Sequence, residues 1–89
     1  MDNVVEMFKK GDPVIVEIED PRGGIEFIRG PLIDLNLREG YVTIGSAIQP
    51  EYTAIFNMKY QGFVTVRTLE PRELRFYKEW IKKMQEETI

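Results

Sequence analysis

The sequence predicts a mainly β domain: a small five-stranded antiparallel barrel with a short helix before it and an amphipathic helix after it. Three observations carry this. Five short segments between residues 13 and 69 alternate apolar and polar residues, the period of a half-buried strand. Gly, Pro and Asp clusters separate them, the residues that turns require. From Pro71 onward the apolar period lengthens to that of a helix. At 89 residues the chain is one domain. It divides into a short helix (1–10), a barrel (13–69) and a C-terminal helix (71–87).

Asn3 caps the expected first helix and Glu6 completes the capping pattern. Val4, Val5 and Phe8 form its apolar face, and Gly11 ends it. A helix so short is stable only when docked. The first strand opens at Pro13, where a missing N–H is harmless. Val14, Val16 and Ile18 face one side of it, Ile15, Glu17 and Glu19 the other. The run Asp20-Pro-Arg-Gly-Gly24 is a turn.

A long second strand starts at Ile25. Ile25 and Phe27, then Ile33, Leu35 and Leu37, read as its inward residues. Gly30-Pro31 marks a bulge or bend between the two sets. After the Arg38-Glu-Gly40 turn, Val42, Ile44 and Ile48 point inward from the third strand. Tyr52, Ala54, Phe56 and Met58 do so from the fourth, and Val64 and Val66 from the fifth. Strands this short and this turned curl in preference to spreading flat. An OB-like barrel is the alternative, but it places a helix between its third and fourth strands, and Gln49-Pro-Glu51 is too short for one. Pro71 suits the first position of the last helix. Leu74, Tyr77, Trp80, Ile81 and Met84 share one of its faces.

The composition excludes much chemistry. There is no cysteine and no histidine, which removes disulfides, thiolate metal sites and the commonest general base near neutral pH. Ser46 is the single serine, and no phosphate-binding glycine loop occurs. Glu17, Glu19 and Glu26 on the first hairpin read as a solvated face rather than an acid–base pair. The expectation is therefore a protein that is not an enzyme and uses no cofactor or metal. No leader sequence or membrane span is visible, so a cytoplasmic protein is expected. Fifteen acidic against twelve basic residues give a net charge of −3. That disfavours wholesale coating of nucleic acid but leaves room for a local site.

Gly30, Leu32, Asp34, Asn36 and Leu37 resemble, in order and type, the first motif of the Sm-like family of RNA-binding rings. The element order of residues 3–69, a helix followed by five bent strands, resembles that family too. Here Asp34 and Asn36 are two residues apart, closer than in the family, and Ile28-Arg-Gly30 falls on the second strand, not near the last two. The resemblance implies an RNA-associated, self-associating barrel with Asp34 and Asn36 contacting a base. Read from the strand alone, the same two residues are outward polar positions. The strands with their final helix also resemble the small SH3-like chromatin proteins of archaea, which, unlike this chain, are strongly basic.

Aromatic residues beside basic ones supply the rest of the candidate site. Tyr41, Tyr60 and Phe63 fall near strand ends with Arg38, Lys59 and Arg67, a combination that stacks bases or plugs a barrel end. The candidate nucleic-acid contacts are Asp34, Asn36, Arg38, Tyr41, Lys59 and Arg67. The expected partners are further copies of the chain, RNA or another single-stranded nucleic acid, and a protein met through the C-terminal helix, with no membrane. The alternative function is a protein-interaction or structural oligomerisation module with no nucleic-acid ligand.

Overall fold

The computed structural model describes residues 8–87. Five antiparallel strands form one sheet: β1 (Pro13–Glu19), β2 (Ile25–Asn36), β3 (Tyr41–Gly45), β4 (Thr53–Asn57) and β5 (Phe63–Thr68). A single described helix, α1 (Pro71–Glu87), follows on the span that the periodicity predicts. The spatial order is β4-β3-β2-β1-β5. Among the described residues the sheet is open, with β4 and β5 as its edges. Most of the helix expected at 1–10 lies outside the described residues. Phe8 is described and packs against the core.

The twelve residues of β2 serve both halves of the sheet. Its first half pairs with β1, from Glu19↔Ile25 to Pro13↔Pro31, and its second half pairs with β3. Side chains from both halves meet in one core of Val14, Val16, Leu32, Val42 and Ile44. Ile18, Ile28, Leu35, Phe56, Met58 and Val66 surround it. The sheet therefore curls its apolar face around a single centre.

The change of direction lies two residues past Gly30-Pro31. Leu32 pairs with Ile44, but Asp34 already pairs with Thr43. Ile33 is thus the extra residue of a β-bulge, and a bulge reverses which strand positions face inward. Even-numbered Ile28, Gly30 and Leu32 point to the core before it, and Leu35 does so after it. This corrects the expected β2 pattern. Ile25, Phe27, Ile33 and Leu37 are exposed, between 40 and 52%. Gly30 is needed for a different reason, since a Cβ there would collide with the carbonyl oxygen of Gly45. Two strands approach there so closely that no side chain fits.

Three further inward assignments change. Ile48 lies past the end of β3 and outside the core cluster. Val64 is exposed, and Phe63 takes its place against the core, because the β1–β5 ladder shifts register between Glu17 and Ile18. Tyr52 precedes β4 and is exposed.

Ile15 points away from the core cluster and is nonetheless fully buried. Ile15 pairs with Arg67 of β5, so the two share the outer face. The Arg67 guanidinium donates to both carboxylate oxygens of Glu73, at 2.7 and 2.9 Å, and its Nε donates to Glu17 at 3.2 Å. One turn further along α1, Tyr77 is the helix's buried residue, and burial pushes its phenol pKa up. The helix starts by ordinary capping. Pro71 needs no N–H partner, and the amide of Glu70 donates to Glu73 at 3.0 Å.

The fork from Arg67, joined by the Glu70 amide, holds the Glu73 carboxyl down at about 2, below its ordinary 4.5. Because the folded value lies below the unfolded one, this contact stabilises the fold above about pH 4.5 and is lost as pH falls towards 2. A Glu73→Gln variant is expected to melt lower at neutral pH and to show a flatter acid limb over that window, read by circular dichroism.

Candidate nucleic-acid interface

The turn after β2 is built by one asparagine. The Asn36 carbonyl accepts from the amide of Gly40 at 2.8 Å, and its side-chain Oδ1 accepts from the amide of Glu39 at 2.9 Å. Gly40 takes φ +82°, which a side chain would strain. The turn after β4 repeats the device. Asn57 Oδ1 accepts from the amide of Lys59 at 2.9 Å, and the Asn57 carbonyl accepts from Tyr60 at 3.0 Å. The amide of Met58 donates to the Gly40 carbonyl at 2.7 Å, tying the two turns together.

These turns assemble most of the candidate residues. Tyr41 pairs with Asn36 on one side and with Asn57 on the other. Asn36, Tyr41 and Asn57 therefore form one outward row across three strands. Asp34, Thr43 and Ile55 form the next outward row. Arg38 is exposed in the first turn. The Lys59 stem lies over Gly40, where a Cβ would stand 2.9 Å from its Cε. Five of the six sequence candidates thus share one end of the sheet: Asp34, Asn36, Arg38, Tyr41 and Lys59. Lys10 lies 4.0 Å from Asp34, an exposed pair that screens this carboxylate weakly.

Arg67 stands apart. It sits on the outer face of β5, bound by Glu17 and Glu73, and the Glu73 fork raises its already high pKa. Its guanidinium holds the helix to the sheet. Sequence reasoning passed over Asn57, which matches Asn36 in turn geometry and shares a row with Tyr41. The signal was present: Asn57 and Asn36 each close an apolar strand and each precede a turn with a basic residue two positions on.

Tyr41 presents a ring that is 43% exposed, Arg38 and Lys59 present cations, and the asparagine oxygens are taken up by the turns. The hydroxyl of Ser46 accepts from the amides of Ile48 and Gln49 and closes the β3–β4 loop. Among the described residues no three His, Cys, Asp or Glu side chains group as metal ligands. Among them no helix is long and apolar enough to cross a membrane. No protein-family model, curated protein or solved structure matches the chain.

Proposed function

We propose that this protein is a non-enzymatic binding module, a small Sm-like or SH3-like barrel that associates with RNA and with copies of itself. The observation that carries the reading is the gathering of Arg38, Tyr41 and Lys59 around the paired Asn36 and Asn57 turns. Cations beside an exposed ring, on rigid turns, suit a single strand that pairs its phosphates and stacks a base. The curled five-stranded sheet with a bent second strand supports the barrel, in which the ends of the sheet approach one another. The absence of cysteine and histidine from the sequence and the use of the Ser46 hydroxyl by its own loop support a binding role over catalysis.

Binding of a fluorescein-labelled uridine decamer across a salt series tests it. The expected result is affinity that falls steeply with salt, with Arg38→Ala and Lys59→Ala each lowering the log–log slope by about one. Absence of binding at low salt overturns the RNA reading.

The edges β4 and β5, open among the described residues, favour a second reading, a self-assembling module with no nucleic-acid ligand. Sedimentation at high concentration tests self-association under both readings, and a clean monomer overturns it. An oligomer that ignores the decamer supports the second reading.

A further inference from the structure

Arg72, Phe76, Trp80 and Lys83 recur along α1 every three or four residues. At that spacing they form one stripe, beside the face that buries Tyr77. Phe76 is 65% exposed and Trp80 48%, against 7% for Tyr77. The Trp80 indole is positioned by stacking on Tyr77, with centroids 6.3 Å apart and planes 29° from parallel. Much of the residue nevertheless stays accessible.

The stripe borders a concave surface. A cavity of about 450 Å³ lies between α1 and the outer face of β2, lined by Arg29, Glu73, Phe76, Tyr77 and Trp80. A second, of about 230 Å³, shares Arg29, Tyr77 and Trp80 and continues past Ser46 and Thr53. Together they fall in the size range of ligand clefts, with aromatic walls and few polar groups. The charges in this groove are unbalanced. Glu73 is already taken by Arg67. Arg29, Arg72 and Lys83 form no salt bridge among the described residues. Glu87 continues the stripe one turn past Lys83, and Glu79, four residues before Lys83, and Glu86, three after it, lie beside it.

We propose that this groove binds single-stranded nucleic acid, with a base stacked on Trp80 or Phe76 and phosphates on Arg29, Arg72 and Lys83. The proposal rests on the nucleic-acid reading above but adds a second contact surface, apart from Arg38 and Lys59. Along the stripe two adjacent rings lie between two cations, so that bases stacked on the rings would carry their phosphates towards Arg72 and Lys83. From Arg72 to Lys83 the stripe runs about 16 Å, longer than one nucleotide needs. An acidic peptide would satisfy the cations and leave the rings without matching flat partners.

Trp80 is the chain's one tryptophan, so its fluorescence reports this groove and nothing else. Titration with a uridine decamer at low salt is expected to quench it. With the labelled decamer, Phe76→Ala and Trp80→Ala are expected to weaken binding about tenfold each. Trp80→Phe should restore most of the loss, and Arg29→Ala should lower the salt slope by about one. Phe76 is exposed enough that its loss leaves folding unchanged, as a thermal melt will check. Binding that depends on Arg38 and Lys59, leaves Trp80 unquenched and ignores Phe76→Ala overturns this site and spares the earlier reading. No binding at all overturns both. Equal quenching by poly-glutamate, or an oligomer whose dissociation on dilution unmasks Trp80, assigns the groove to a protein and overturns the nucleic-acid proposal.

Discussion

Alanine at Gly30 is expected to cost about 3 kcal/mol, the upper end of what overpacking a filled interior costs. The added methyl would strike the Gly45 carbonyl, and a backbone oxygen paired into a sheet has no rotamer to move to. For a domain of this size the loss is a large share of the roughly 4–13 kcal/mol that holds it folded. Urea unfolding is the measurement: the midpoint should fall with little change in slope. The control comes from the other side of the same contact. A Cβ at Gly45 meets the Cδ1 of Ile33 at 3.0 Å. That side chain is 40% exposed and free to swing, so Gly45→Ala should stay within about 1 kcal/mol of the parent. Equal costs at the two glycines would show that the close approach is absent.

Leu32→Ala carries the other large effect. Leu32 is 3% exposed and joins the core from β2, so its truncation should cost about 2–5 kcal/mol by lost burial and the cavity left behind. Ile33→Ala, one position on, should cost less than about 1 kcal/mol, because the bulge leaves Ile33 facing outward. The two residues are neighbours of similar volume, so the ratio of their costs measures the phase of the strand. The reverse ratio would mean that β2 keeps one alternation throughout and has no bulge at Ile33.

That comparison also marks where the sequence stopped being legible. Strand positions, turns and the last helix follow from local chemistry: Asp20 to Gly24 turns because its residues favour turning, and Pro71 starts a helix because it needs no donor. The facing of β2 does not follow from local chemistry. Its odd positions, Ile25, Phe27, Ile33, Leu35 and Leu37, form the longer apolar series, yet only Leu35 among them packs on the core. One bulge decides this, and a bulge depends on what the partner strand offers, here Ile44 and Thr43. Ile15 escaped for a similar reason. It lies on the face where its strand partner Arg67 is tied to a helix more than fifty positions later. In the candidate site, the Arg38-Glu-Gly40 turn was local and readable, whereas the bonds by which Asn36 closes it came only with the structure. The clamp role of Arg67 needed Glu17 and Glu73 brought together from distant segments.

The order in which these contacts form has its own consequence. From β1 to β4 each strand pairs with its sequence neighbour, so that part closes through short loops. β5 must instead find β1, and Arg67 must find Glu17 fifty residues away. The entropy of closing that long loop is set against a single ladder and one clamp. Hydrogen exchange should therefore resolve two cooperative units. Amides of β5 and α1 should open at lower free energy than those of β2 and β3, and the four-stranded meander should fold first and receive them last. The Arg67 fork would then act as a latch: while it is closed, the Trp80 groove exists, and when it opens the groove disappears although most of the sheet stays folded.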